Sequence, residues 1–416
     1  MTAAERLRER RLTVDTGHTA DPGKEDRAAR GIPVVPALDG LRGLAVFMIV
    51  AWHVWNLTGN NSSDTLGRLV AGLVPHGIQL LFLISGFVMF LPTAARGRFG
   101  SVRAYALRRI ARIVPAFYLS LVILLLFWSQ FVAPAEPIEY PGPLAVLVQF
   151  TFLFQPLTLI DDPTFAPGFG ANGPAWTLSV EAFFYFTLPF VAVRFRRNPI
   201  WGLLIALAIS IGWRLAFEGE GNQLPFWIGA LAAGMAAAQA YVRLSALQPA
   251  ERVRRLALPV QLLALVALVV LGWVQGGEEV VGSREAFHAS IQSIPLSTVF
   301  PLLLGVLAVA TALAPSWASW LVTNRAARWV GDRSYGVYLA HALVFRYIAL
   351  HFMRPDRTGG LPEFAKWFVL VGAGSMVYGW ASYRFVELPI RRWARGVARG
   401  WQSSTAPSPV AEAQRP

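Results

Sequence analysis

The sequence contains no cysteine and few charged residues. Of its 416 residues, 55% are hydrophobic and only 15% are charged, whereas a soluble domain carries roughly 25% charged residues. The missing cysteine excludes disulfide bonds, thiolate metal sites and a cysteine nucleophile. The shortage of charge argues against a soluble globular protein. It predicts a membrane protein with many spans, because each span needs about 20 mostly apolar residues.

Histidine is also scarce, and the 6 histidines show no metal-ligand spacing, so we expect no bound metal. The formal net charge of +13 raises nucleic acid as a partner. However, the basic residues stand in short clusters between apolar runs, which is typical of loops that face an anionic membrane leaflet. We therefore expect these clusters to contact membrane lipids and not nucleic acid.

The two ends of the chain are polar. Residues 1–35 lack the apolar core of a signal peptide and are predicted to form a charged, disordered cytoplasmic tail. Residues 396–416 are predicted to form a second disordered tail. The intervening residues 36–395 would form a single membrane domain. Nothing in the sequence specifies an oligomeric state.

The membrane domain contains a series of apolar stretches, and their flanking charges predict which of them cross the membrane. The stretches are 41–57, 73–92, 113–131, 144–160, 176–193, 200–217, 224–242, 257–275, 295–314, 334–352 and 366–386. All the basic clusters fall on the cytoplasmic side only if 144–160 does not cross. We therefore predict an all-α, polytopic bundle of about ten transmembrane helices in the cell membrane, with both termini cytoplasmic. Residues 144–160 would be re-entrant or lie along the outer surface.

Two ionisable residues stand out in the first span, "ALDGLRGLAVFMIVAWHVW". Arg42 and His53 are eleven residues apart, which returns to nearly the same helix face about 16 Å along the axis. Ionisable groups inside spans are costly and usually functional. The alternative is that Arg42 extends to lipid phosphate and His53 bonds to a neighbouring helix. Asp39, one turn before Arg42, is a candidate cavity-lining residue.

A buried acid stands in "GPAWTLSVEAFFYFTLP". Glu181 is expected about 9 Å below the outer surface, at a depth similar to that of His53. The two side chains could meet, and the carboxylate would then orient the imidazole and raise its basicity. The alternative is a buried Glu181 paired with a backbone or helix-end donor. Trp176, at the start of the same span, is a further candidate cavity-lining residue.

A basic cluster occurs in "YALRRIARIVPAFYLS". Arg108 and Arg109 share helix faces with Arg112, at spacings of four and three residues. Their guanidinium groups could bind a polyphosphate ligand. They could equally be a consequence of the positive-inside rule.

Two further stretches carry polar residues at membrane depth. Ser85 in "HGIQLLFLISGFVMF" could be a nucleophile, but we favour helix packing at this small residue. "GDRSYGVYLAHALV" places Tyr335, Tyr338 and His341 where they could line the same cavity, although His341 could equally be a satisfied core histidine. Glu387 in "YRFVELPIRRW" is predicted to form a helix-end ion pair.

Taken in order, these segments resemble the membrane acyltransferase-3 family over roughly residues 36–395. The resemblance is carried by Arg42 and His53 in the first span, and by "RRIARIVPAFY", "WTLSVEAFFYFTLP", "SYGVYLAH" and "ELP". Two positions differ from the usual pattern, since Thr177 replaces a serine and Gln79 replaces an aspartate.

The resemblance implies an O-acyltransferase that takes an acyl group, most often acetyl, from cytoplasmic acyl-CoA, with no permanently bound cofactor. Arg109 and Arg112, with Arg108 and Arg42, would bind the CoA phosphates. His53 would act as general base or as acyl acceptor, oriented by Glu181. The acceptor would be a hydroxyl of a cell-envelope glycan or glycolipid, or of a glycosylated natural product such as a macrolide. A transporter or an acyl-translocating permease without its own transferase step is the alternative from another class.

Overall fold

The computed structural model describes residues 32–58, 65–134, 136–160, 162–217, 222–247, 250–278, 293–314, 317–356 and 358–403. The chain divides into Met1–Val34 and Val35–Pro416, and everything below concerns the second unit. Most of the predicted N-terminal tail, most of the residues between the apolar stretches 257–275 and 295–314, and residues 404–416 lie outside the described residues.

The described part of the second unit is helical and contains no β-strand, which confirms the predicted all-α class. The α-helices, in chain order, are α1 (Ala37–Thr58), α2 (Thr65–Leu73), α3 (Gly77–Arg96), α4 (Val102–Leu126), α5 (Pro143–Thr151), α6 (Phe154–Leu157), α7 (Trp176–Arg197), α8 (Pro199–Ala216), α9 (Leu224–Ser245), α10 (Ala250–Glu278), α11 (Ser293–Leu313), α12 (Trp320–Thr323), α13 (Arg325–His351), α14 (Gly360–Ser382) and α15 (Leu388–Ser403). A π-helical turn, Tyr383–Glu387, joins α14 to α15.

Seven helical stretches in this part of the chain are long and apolar enough to cross a membrane. They are Ala37–Thr58, Thr65–Arg96, Val102–Leu126, Gly173–Arg197, Pro199–Ala216, Leu224–Ser245 and Ala250–Gly276. The other three predicted spans correspond to α11, α13 and α14, which do not meet the same criteria of length and hydropathy over their described residues. The count of about ten spans and the sides of the two termini therefore stay predictions.

Glycines bring two pairs of helices into close contact. A Cβ added to Gly86 on α3 would lie 2.0 Å from the carbonyl oxygen of Leu231 on α9. A Cβ added to Gly331 on α13 would lie 1.8 Å from the carbonyl oxygen of Asp39 on α1. Small residues allow such close approach between helices. The second contact matters most for the site, because α1 and α13 together carry several of the predicted functional residues.

Residues 127–175 contain only short helices among their described positions, so the predicted non-crossing segment 144–160 appears as α5, α6 and single turns. Side chains of the long helices satisfy its backbone. The Tyr118 hydroxyl donates to the carbonyl of Phe150 at 2.5 Å, and the Ser179 hydroxyl donates to the carbonyl of Phe152 at 2.5 Å. Because irregular backbone needs such partners away from water, this segment is built into the end of the bundle.

The C-terminal boundary differs from the prediction. Helix α15 continues past residue 395 to Ser403 and packs along α4. Ala394 and Ala398 are buried, whereas Trp393 and Trp401 are exposed. A helix with one small, buried face gains packing free energy that a tail would not have, so part of the predicted tail is helical.

Candidate active site

One face of α1 runs past two neighbouring cavities. Arg42 and Val46 line the first cavity, and Val50, His53 and Leu57 line the second. These positions follow the three- and four-residue spacing of a single helix face. Helix α13 also lines both cavities. Helix α7 lines the first cavity and the turn before it lines the second, so α1, α13 and α7 with its preceding turn form walls of both.

The first cavity, called the arginine cavity, is lined by Arg42, Arg109 and Arg112 together with Glu181. Its other polar lining residues all carry hydroxyl groups; they are Ser85, Thr177, Tyr185, Ser334, Tyr335 and Tyr338. Arg42 lies 3.9 Å from Asp39 on the preceding turn of α1. Three guanidinium groups around one space can bind an anion with several oxygen atoms.

Glu181 binds hydroxyl groups and not the imidazole that the sequence suggested. The Ser85 hydroxyl donates to Glu181 Oε1 at 2.6 Å, and the Tyr185 hydroxyl donates to Oε2 at 2.9 Å. His53 and Glu181 line different cavities and form no hydrogen bond in the described part of the chain. The physical reason is that His53 already has a partner on its own helix, while α3 presents Ser85 to the carboxylate.

The second cavity, called the histidine cavity, encloses about 160 Å³ and is lined by His53, His341 and Arg346. The two imidazole rings are in edge-to-face contact, with centroids 4.9 Å apart and an interplanar angle of 61°. Backbone from Gly170, Ala171 and Gly173, in the segment before α7, forms another wall.

Backbone carbonyls determine the tautomer of both rings. His53 Nδ1 lies 2.9 Å from the carbonyl oxygen of Ile49, and His341 Nδ1 lies 2.5 Å from that of Tyr338. A carbonyl oxygen only accepts hydrogen bonds, so each Nδ1 must carry the proton. In the neutral rings each Nε2 therefore has a free lone pair, which is the state that a general base or a nitrogen nucleophile requires.

Arg346 connects the histidine cavity to residues 131–136, which lie between α4 and α5. Its guanidinium forms an ion pair with Glu136, and its Nε donates to the carbonyl of Phe131 at 2.7 Å. Helix α13 is thereby tied to residues 131–136, outside the long helices. The pair contributes little net charge to the cavity, because the carboxylate offsets the guanidinium.

A layer of hydroxyl groups separates the two cavities. The Tyr338 hydroxyl donates to the carbonyl of Pro174 and lies 2.7 Å from Thr177 Oγ1. Tyr338 and Thr177 face the arginine cavity, and Pro174 faces the histidine cavity. Thr177 differs from the usual serine of the motif but still has a hydroxyl group, and it is this hydroxyl that contacts Tyr338.

Three candidate residues lie outside both cavities. Trp176 packs in an aromatic cluster, with its ring centroid 5.6 Å from that of Trp227 and 6.0 Å from that of Phe82. Asp39 lies close to Arg42 but does not line the arginine cavity, and neither does Arg108. Among the residues that the structure describes, no group of three His, Cys, Asp or Glu side chains could hold a metal ion.

Two site residues were not singled out from the sequence. Tyr185 lies four residues after Glu181, so its contact follows helix spacing and could have been anticipated. Arg346 is a lone charge within "HALVFRYIAL", which is a signal of function inside a span. Its acidic partner, Glu136, comes from a segment whose position only the tertiary structure provides.

Comparison with known proteins relates this geometry to a family. The model of the acyltransferase-3 family, described as an acyltransferase domain, matches residues 35–384. The chain is 24% identical over 388 residues to the peptidoglycan O-acetyltransferase OatA of Listeria monocytogenes, covering 86% of this chain and 56% of that protein. It is 24% identical over 383 residues to YrhL of Bacillus subtilis, provisionally named for the same activity, covering 86% and 55%.

A Staphylococcus aureus protein provisionally named an O-acetyltransferase is 22% identical over 399 residues, covering 90% of this chain and 60% of that protein. The chain thus spans little more than half the length of these relatives. No solved structure matches the chain. The family model covers most of the membrane domain, including α1, α7 and α13, and confirms the resemblance seen in the motifs. The chain belongs to the membrane acyltransferase-3 family.

Proposed function

We propose that this protein transfers an acyl group, most often acetyl, from cytoplasmic acyl-CoA to a hydroxyl of a cell-envelope glycan. The observation that carries the proposal is the arrangement along α1. Arg42 stands in a cavity with two further arginines, and His53 stands in the next cavity on the same helix face. A cavity lined by arginines and a cavity lined by imidazoles thus follow each other along one helix, which would suit a donor with phosphates at one end and a thioester at the other.

The donor would bind first in the arginine cavity. Guanidinium groups bind phosphate oxygens in pairs, and Arg42, Arg109 and Arg112 converge on this space from two helices. The cavity itself is small, about 40 Å³, so binding requires side chains to move apart. With both termini cytoplasmic, this cavity would face the cell interior, where acyl-CoA is available.

The transfer would take place in the histidine cavity. His53 Nε2 has a free lone pair because Nδ1 donates to Ile49. It could remove the proton of an acceptor hydroxyl, or it could accept the acyl group itself. The Ile49 carbonyl orients the ring, a role that the sequence had assigned to Glu181.

Glu181 would act in donor binding and not at the imidazole. Its carboxylate lies in the same space as the three arginines, and two hydroxyl groups hold it there. A negative charge in an otherwise cationic cavity lowers the cost of keeping the arginines close together before the donor arrives. The same negative charge would repel the phosphate groups of the donor, which would therefore bind on the side of the cavity away from Glu181.

The acceptor proposed first is peptidoglycan, because two of the relatives carry that substrate in their names. A glycosylated natural product is a second acceptor with the same chemistry. The alternative of another class is translocation of the acyl group without transfer to a glycan. Translocation is favoured by the succession of the two cavities along the same three elements, because an acyl group could move from one cavity to the next and then to a separate enzyme.

One experiment separates these alternatives. The purified protein in lipid vesicles would be given radiolabelled acetyl-CoA and peptidoglycan strands that lack O-acetyl groups. We expect label to enter the strands as a base-labile ester in a His53-dependent manner. Labelled strands that form equally with wild type and with His53→Gln would overturn the proposal. Label that leaves acetyl-CoA through His53 but enters only water would favour translocation.

A further inference from the structure

The histidine cavity contains a second imidazole, that of His341, which has no role in the reaction as proposed above. His341 is only 1% exposed, and its Nε2 is buried without a hydrogen-bond partner among the described residues. A buried acceptor that is left unpaired costs free energy. The unpaired Nε2 of His341 is thus available to accept a proton from a ligand in the histidine cavity.

We propose that His341 is a second catalytic residue, which takes the proton of the acceptor hydroxyl while His53 carries the acyl group. The inference rests on the proposed function. It follows from the tautomers, because both Nδ1 atoms are committed to backbone carbonyls and each ring has only Nε2 available. Once His53 Nε2 is acylated it has no lone pair left, so it cannot deprotonate the incoming hydroxyl. A second base is then required in the same space, and His341 lines that space in contact with His53.

The first half-reaction forms one bond and breaks one bond. The His53 Nε2 lone pair attacks the thioester carbonyl carbon, the carbon–sulfur bond breaks, and the thiolate leaves with its electron pair and takes a proton from water. The acylated ring is cationic, because Nδ1 keeps its proton towards Ile49. His341 has no chemical part in this half-reaction.

The second half-reaction uses both rings. The acceptor oxygen attacks the acyl carbon while its proton passes to His341 Nε2. The carbon–nitrogen bond breaks, and its electron pair returns to His53 Nε2. His341 then releases its proton to water. The proton that His341 releases replaces the one that the thiolate took from water, so the sum is an ester and a thiol from a thioester and a hydroxyl, and neither an oxidant nor a further reactant is needed.

Both rings are held in the same way, each by a backbone carbonyl about one turn earlier on its own helix. His53 Nδ1 is bound to the carbonyl of Ile49 on α1, and His341 Nδ1 is bound to the carbonyl of Tyr338 on α13. The two rings therefore reach the histidine cavity from different helices, and each can keep its position while the other reacts.

The test measures the two half-reactions separately. Purified full-length protein would be mixed with radiolabelled acetyl-CoA, and free donor would be removed by rapid gel filtration. Label on the protein, its position at His53 by mass spectrometry, and its rate of loss to water and to unmodified peptidoglycan strands would be recorded. The rate of hydrolysis can be measured without knowing the true acceptor. Water that attacks the acyl group must also lose a proton to a base, so hydrolysis should depend on His341 as well.

The variants are His341→Gln and His341→Asn. The asparagine amide can still donate to the Tyr338 carbonyl but has nothing in place of Nε2. We expect both to acquire label as fast as wild type and to lose it at least about 100-fold more slowly, the usual contribution of a general base. His53→Gln should acquire none. His351→Gln is the matched control, because His351 lies on the same helix, is exposed, and lines neither cavity; it contacts the Gln130 carbonyl and the Tyr347 ring.

The outcomes decide between the alternatives. Loss of label at the wild-type rate in both His341 variants would overturn the inference. So would a failure of both variants to acquire label, since it would indicate a structural role or a role in the first half-reaction. An active wild type that never carries label on His53 would overturn it as well. A wild type that takes no acetyl from acetyl-CoA would instead disprove the proposed function, and this inference with it.

Discussion

The arginine cavity and the histidine cavity share walls from α1, from α13 and from α7 with the turn before it, yet the side chains that line them differ in kind. The first contains three arginines and one carboxylate that is held by two hydroxyl groups. The second contains two imidazoles whose partners are backbone carbonyls, and an arginine already paired with Glu136. One is therefore suited to binding an anion, and the other to moving a proton or an acyl group. Under the proposed function, donor binding and acyl transfer would therefore occupy separate places on the same helices.

If the two cavities divide the work in this way, a substitution in the histidine cavity should stop chemistry and spare binding. We expect His53→Gln to lower the rate of acyl transfer by about 10²- to 10⁴-fold. The dissociation constant of acetyl-CoA should stay within about twofold of wild type, because the arginines are untouched. Single-turnover transfer and equilibrium binding of labelled acetyl-CoA measure the two effects. An equal loss of both would show that the division is wrong.

The converse substitution lies in the arginine cavity. Arg112→Gln removes a guanidinium that would bind phosphate, and a hydrogen bond to a charged group contributes about 1.5–3 kcal/mol. We expect the dissociation constant of acetyl-CoA to rise about 10- to 100-fold, with little change in the transfer rate at saturating donor. Equilibrium binding gives the first quantity, and turnover at saturation gives the second.

Arg103→Gln is the control for this prediction, because Arg103 lies on α4 as well but is exposed outside both cavities. Its variant should bind acetyl-CoA like wild type. Equal weakening by both substitutions would mean that the net positive charge of α4, and not the cavity, attracts the donor.

The smallest expected effect concerns the layer between the cavities. Thr177→Val removes the oxygen that contacts the Tyr338 hydroxyl, whereas Thr177→Ser keeps it. Loss of one such hydrogen bond costs about 1 kcal/mol, so we expect transfer to slow roughly fivefold in the valine variant and to stay within about twofold in the serine variant. Transfer rates at saturating donor test this pair. Identical rates for valine and serine would show that the hydroxyl has no part in the separation of the cavities.

Sequence patterns predicted much of the fold, because each span needs its own run of apolar residues. Helices α1, α7, α8 and α9 lie where the apolar stretches placed them. The prediction of helix boundaries was less accurate where charged residues stand next to apolar ones. Helix α13 begins at Arg325, ahead of the predicted span at 334–352, because Asn324 caps it by accepting from the Ala327 amide at 2.8 Å. The arginines in its first turns obscured that start.

The site was predicted in part, and the limit has a physical cause. Helix spacing correctly placed Arg42 and His53 on one face of α1, since spacing along a helix is a local property. It could not determine what that face meets. Equal depth suggested that His53 and Glu181 would meet, but depth does not determine which faces of two helices turn towards each other. Their rotation brings Ser85 to Glu181 and His341 to His53.

By itself, the sequence determined that this chain is an all-helical membrane protein, where its ionisable residues fall along each helix, and which family's motifs it carries. These properties depend on composition and on spacing within single helices. Only the tertiary structure decided that the arginines and the imidazoles line two cavities and that His53 has a second histidine as its neighbour. Such pairings depend on how helices distant in sequence are rotated and packed, and close contacts such as that of Gly331 with Asp39 set that packing.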